Sequence, residues 1–243
     1  MLLIISGSVL ATSFLSGVFG MAGGMVLMGI LLALLPVEHA MVIHGVSQLS
    51  SNVSRALLSW RSTRWEVVGW YALGAAGVLG LLAALDLALD RAAALVALGL
   101  MPSIPYLLPQ AVKLSIERPA DALVCGASCM GVQMLCGVSG PLLDAFFAHS
   151  HMTRHEVIST KAATQVLSHA ARIAFFGTLL SAANESIDWV LALLLPTSAI
   201  IGTAAAKLVL QRITDANFRL VTRRLVLVLA ACYLVAGLSL LSG

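Results

Sequence analysis

The chain has 243 residues, 60% of them hydrophobic and 10% charged, with 14 basic against 11 acidic side chains. Soluble proteins run near about 45–50% apolar and about 25% charged, so these few charges exclude a soluble enzyme. A net charge of +3 gives no basic face for nucleic acid.

No Asp, Glu, Lys or Arg occurs between Met1 and Val37. Further uncharged runs cover Val67–Leu85, Ala92–Val112, Ala122–Leu143, Val190–Ala206 and Leu225–Gly243. Each is near the roughly 20 apolar residues that carry a helix across a bilayer. The expectation is an all-α polytopic membrane protein, because a β-barrel shows alternating strands of roughly 10 residues. The N-terminus lacks the basic stretch of a cleaved signal peptide and is read as a membrane segment. Cys125, Cys129, Cys136 and Cys232 lie in apolar segments and are no disulfide framework.

In chain order, the pattern predicts a glycine-tipped hairpin over 1–36 and helices over 40–60, 66–85 and 92–110. A linker follows at 111–119, then a second hairpin over 120–154 and helices over 157–180, 189–210 and 222–241. The two sets are related by a repeat. At an offset of 117 residues, Ser13–Trp60 lies over Met130–Gly177 without a gap. Gly20 falls on Gly137, Gly23 on Gly140, Gln48 on Gln165, Ser51 on Ser168 and Arg55 on Arg172. All five identities are glycine or polar, so apolar coincidence does not produce them. Similar pairs are Ala22/Ser139, His44/Lys161, Ser47/Thr164 and Asn52/His169. Residues 1–110 therefore form a first repeat and 120–243 a second.

Positive loops favour the cytoplasm. Arg61–Arg64, Lys113–Arg118 and Gln211–Arg224 are basic, whereas Pro36–His39, Asp86–Asp90 and Asn184–Asp188 are acidic or neutral. With the basic set inside, helix 40–60 runs inward and helix 157–180 outward, so the repeats are inverted and both termini lie outside. Each Gly segment must then start and end on one side, as a re-entrant hairpin with a short second arm of roughly a dozen residues. Glycine permits such turns and close backbone approach. Irregular backbone at membrane depth survives when buried or lining a cavity, and short-arm N-termini attract anions. The plainer reading of the same glycines is close helix packing.

Gly17-Val18-Phe19-Gly20-Met21-Ala22-Gly23-Gly24, with Ser47-Gln48 and Ser51-Asn52, resembles the first repeat of the sulfite exporter TauE/SafE family, also called the toluene sulfonate uptake permease family. Cys136-Gly137-Val138-Ser139-Gly140-Pro141, with Lys161-Ala162-Ala163-Thr164-Gln165, resembles its second repeat. The resemblance spans essentially the whole chain. Ser139 and Pro141 depart from the family's glycine-rich second motif. The resemblance implies transport of sulfite, sulfonates or related small sulfur anions, and a prokaryotic inner (plasma) membrane.

Helix 40–60 carries His44, Gln48, Ser51, Asn52 and Arg55 within roughly a third of its circumference. Its mate carries Lys161, Gln165, Ser168, His169 and Arg172. Charged groups within a bilayer face a cavity or a partner, and two such stripes present the convergent donors an oxyanion needs. The candidate binding residues are these two stripes with Gly20, Ala22, Gly23, Gly24, Gly137, Ser139 and Gly140. His44 and Asp144 are the coupling candidates, Asp144 alternatively neutralising Arg172 or Lys161. Each has a plainer reading: Arg55 and Lys161 as interface anchors, Gln48 and Gln165 as inter-helix bonds, His44 and His169 as core histidines. Cys125 and Cys129 read as packing residues, His149, His151 and His155 as a solvated loop, and Trp60, Trp65, Trp70 and Trp189 as interface anchors. No P-loop, HExxH or Ser/His/Asp constellation occurs. The expectation is a secondary transporter with a small anionic substrate and a coupling proton or cation, without cofactor, metal or catalytic residue. A small-anion channel is the alternative.

Overall fold

The computed structural model describes residues 1–19, 22–85, 90–103, 114–210 and 215–242, and every described element is helical. In chain order these are α1 (Leu2–Phe19), α2 (Ala22–Leu34), α3 (Val37–Leu58), α4 (Trp65–Leu85) and α5 (Arg91–Leu100). They continue as α6 (Pro119–Cys136), α7 (Gly140–Phe147), α8 (Arg154–Ala182), α9 (Trp189–Leu210) and α10 (Asp215–Ser242). Among the described residues, four stretches are long and apolar enough to cross a membrane: Trp65–Leu85, Pro119–Cys136, Trp189–Ala206 and Arg224–Ser242. Their outer faces carry exposed apolar side chains such as Leu73, Leu81, Leu193, Val228 and Val235, as lipid-facing helices do.

The helix starts repeat the sequence register. α1 and α6 both have 18 residues, and their limits differ by the offset of 117, as do the first residues of α3 and α8. Both Gly segments interrupt the chain. α2 folds back on α1 so closely that a Cβ on Gly23 would strike the Thr12 carbonyl and the Ser16 backbone nitrogen. In the second segment α6 ends on Gly137, whose φ of 75° is the left-handed conformation glycine adopts without strain. α7 then returns to the start of α6, where Ile116 N–H donates to Phe146 O at 3.0 Å and His151 N–H to the Glu117 carboxylate at 2.8 Å.

Three elements depart from expectation. The helix expected over 92–110 ends at Leu100 and tightens into a 3₁₀ turn, Met101–Ser103, because Pro102 cannot continue the hydrogen-bond ladder. Residues 104–110 and the linker's 111–113 lie outside the described residues, as do 86–89 and 211–214 of the expected loops. α10 begins at Asp215 rather than 222, so the basic stretch after α9 is largely helical. The second short arm, α7, has only 8 residues.

Small residues close the outer helix pairs. A Cβ on Gly74 of α4 would overlap the Leu123 carbonyl of α6, and one on Gly126 would overlap the Tyr71 carbonyl. α1 and α9 meet the same way, through Gly17 against Ala206 and Gly202 against the Leu10 carbonyl. Without a hydrophobic drive between helices in lipid, such backbone proximity supplies the packing energy. α3 and α8 cross inside this frame, with Gly45 admitting Ile173 and Arg172. α8 starts at a capping box: Thr153 Oγ1 accepts from Glu156 N–H, and Thr153 N–H and its hydroxyl donate to the Glu156 carboxylate. These bonds, the backbone one foremost, and Arg64 hold that carboxyl below the ordinary range.

Candidate functional site

The two polar stripes meet where α3 crosses α8. Beside the crossing, between the two broken segments, lies a cavity of about 270 Å³. Of the residues expected from sequence, Gly24, His44, Gln48, Asn52 and Arg55 line it from the first half. Gly137, Ser139, Gly140, Asp144, Lys161, Gln165 and His169 line it from the second.

Arg172 lies beneath that lining, with no exposed surface, and is the largest fully buried side chain described. One guanidinium nitrogen donates to the carbonyl of Gly137. The other, Nη2, donates to Nδ1 of His44 at 2.8 Å and to Nδ1 of His169 at 3.3 Å. Guanidinium carries no acceptor, so both imidazoles accept there. His44 donates through Nε2 to the Gly24 carbonyl at 3.0 Å, and an imidazole that accepts at one nitrogen and donates at the other is neutral. A single guanidinium thus ties the second Gly turn to α3 and, through His44, to the first hairpin. Its Nε has no hydrogen-bond partner, and among the described residues no carboxylate pairs with it.

The second-half wall is a chain of hydrogen bonds. Gln165 Nε2 donates to Ser139 Oγ at 3.3 Å, Ser139 Oγ donates to Gln133 Oε1 at 2.7 Å, and Gln133 Nε2 donates to His169 Nδ1 at 2.8 Å. Lys161 is ion-paired with Asp144, both partly exposed to the cavity. That settles which cation Asp144 neutralises: it is Lys161, not Arg172. With Arg55, Lys161 and Arg172 against Asp144 alone, the cavity's surroundings carry net positive charge. In a low-dielectric setting this field and the amide and hydroxyl donors suit a small anion.

Other expected residues point elsewhere. Ser51 bonds Thr203 of α9 at 3.2 Å, and Ser168 bonds the Tyr71 hydroxyl of α4 at 2.7 Å. Gly23 is a packing glycine against α1, and Ala22 is buried. Gly20 lies outside the described residues. Cys125 and Cys129 are buried with sulfurs 3.8 Å apart. Among the described residues no cluster of three His, Cys, Asp or Glu side chains could hold a metal. Trp60, Trp65 and Trp189 are exposed near helix ends.

Ser16 and Gln133 line the cavity and were not singled out by the sequence reading. The signal was present: they are mates at the same offset of 117, each a polar residue in an apolar helix.

Compared with known families, residues 4–234 match Sulfite exporter TauE/SafE. The chain belongs to the sulfite exporter TauE/SafE family. It is therefore a multi-pass membrane protein of a transporter family, in agreement with the exposed apolar helices. Comparisons with curated proteins and with solved structures give no match.

Proposed function

We propose that this TauE/SafE member is a secondary transporter that moves a small sulfur-containing anion, such as sulfite, thiosulfate or an organosulfonate, across the inner membrane. The observation that carries the reading is Arg172. A buried guanidinium without a carboxylate is expensive to maintain, and here it underlies a polar cavity large enough for a small oxyanion. An anion entering the cavity would supply the missing countercharge.

Transport proceeds by alternating access of two inverted repeats, 1–110 and 120–243. The matching helix starts, the break between α6 and α7 at Gly137, and the reciprocal packing of α1 on α9 and α4 on α6 support this. α2 and α7 are about 20 Å and about 12 Å long at 1.5 Å per residue, shorter than the roughly 30 Å hydrocarbon core, as re-entrant arms would be. The basic loops favour an orientation with both termini outside. A coupling proton or cation would drive flux. The channel reading gains nothing from the family, whose name is that of an exporter.

The test is flux in proteoliposomes paired with calorimetric titration of purified protein. Saturable, counter-ion-dependent movement of one sulfur anion, lost in Arg172→Ala, is the expected result. Unsaturated flux, or Arg172→Ala behaving as wild type in both assays, would sink the proposal.

A further inference from the structure

On the anion-transport reading above, we infer that the substrate takes its direct side-chain ligands from the first half, at Gln48 and Arg55, while their mates in the second half form a wall already satisfied. The inference rests on a comparison of positions that the offset of 117 makes equivalent.

Gln165 donates to Ser139. Its mate Gln48 lines the same cavity, and among the described residues its side-chain amide has no hydrogen bond. The position equivalent to Ser139 is Ala22, which has no hydroxyl to offer. Arg172 is clasped by Gly137, His44 and His169. Its mate Arg55 lines the cavity with no hydrogen bond or ion pair among the described residues. Gln133 is bonded at both ends of its amide. Its mate Ser16 lines the cavity, and among the described residues its buried hydroxyl has no hydrogen-bond partner. Lys161 is neutralised by Asp144, whose mate is the apolar Leu27.

At three equivalent pairs, then, the second-half member is bonded within the protein and the first-half member is not; the fourth position differs, because Lys161's mate His44 is bonded at both nitrogens. The energetic consequence has one sign. A donor already bonded within the protein loses that partner when it turns to the anion, whereas a cavity-lining donor without a protein partner exchanges only water for it. A charged oxygen acceptor strengthens the bond gained. The open set of one amide and one guanidinium offers donors to an oxyanion with several oxygens. The closed wall opposite fixes the cavity's shape, and Arg172 supplies field without contact.

The experiment uses full-length protein titrated with sodium sulfite under anaerobic conditions, with sodium thiosulfate and sodium acetate in parallel. Gln48→Ala and Arg55→Gln are expected to weaken the bound sulfur anion about tenfold or more, and Gln165→Ala less than about threefold. The sharpest arm is Ala22→Ser. It removes nothing, yet it installs the hydroxyl that would bond Gln48 as Ser139 bonds Gln165, and it is expected to weaken binding at least about threefold. Each variant is compared at equal monodispersity and unliganded Tm; where Gln48→Ala fails to fold, Gln48→Asn keeps the amide but shortens its reach. Equal losses in Gln165→Ala and Gln48→Ala, or unchanged binding in Ala22→Ser, would overturn the assignment while leaving the transporter reading intact. A wild type that binds no sulfur anion would overturn both.

Discussion

The α3–α8 crossing and the α4–α6 pair both hold helices together inside the same molecule, by opposite means. α4 and α6 meet through Gly74 and Gly126, with backbone against backbone. α3 and α8 meet through the Arg172 guanidinium of α8 bonded to the His44 imidazole of α3, with His169 of α8 beside it. The glycine contact has one geometry, because any added atom overlaps a carbonyl. The polar contact depends on partners that a ligand or a proton can compete for. The difference makes the glycine pairs the contacts least tolerant of an added atom, and the polar crossing the one held by side-chain hydrogen bonds.

That contrast can be broken from either side. The largest effect is expected from Gly126→Leu, which forces α6 off the Tyr71 backbone. The cost is about 3 kcal/mol or more, read as loss of monodisperse protein or a steep fall in Tm. A variant that folds normally would mean the pair is not a fixed seam. Arg172→Ala comes next. It strips the donor from Gly137, His44 and His169, and anion flux is expected to fall at least about tenfold. Arg172→Lys does not restore it, because an ammonium cannot reproduce the planar fork that reaches both imidazoles. Recovery with lysine would show that charge alone matters.

Asp144→Asn should act in the opposite direction. It frees Lys161 and raises the net positive charge at the cavity, so anion affinity rises about threefold by titration. A loss of affinity would show that the carboxylate holds the wall in shape. The smallest effect lies outside the crossing, at the α8 cap. Thr153→Ala removes the cap at about 1 kcal/mol, seen as a small drop in Tm with binding unchanged. Because the folded-state carboxyl of Glu156 sits below its unfolded range, its contribution is present at neutral pH. It is lost as pH falls through that lowered value. Glu156→Gln should therefore flatten the acid side of the stability profile.

The all-helical frame was legible in the sequence, because charge-free runs are long signals. The starts of α4 and α9 lie within one residue of their expected positions. The end of α5 was not, since a single Pro102 outweighs an apolar run that continues past it. The site was legible to the level of a helix face but not of a neighbour. Ser51 lies only about 60° around α3 from Gln48, and that angle separates a cavity wall from the contact with Thr203. Nothing in its spacing distinguishes the two. Ser16 was missed because a lone serine hardly alters the hydropathy of α1, although its mate Gln133 marked the same register.

The Arg172 clasp also has a meaning for biogenesis. α3 enters the bilayer more than a hundred residues before α8, so His44 and Gly24 are in place long before the guanidinium arrives. Until α6, its turn at Gly137 and α8 have all been inserted, Arg172 lacks the acceptors that offset its charge. Closure of the clasp is thus a step of assembly that requires both halves. Halves made as separate polypeptides should persist only when produced together.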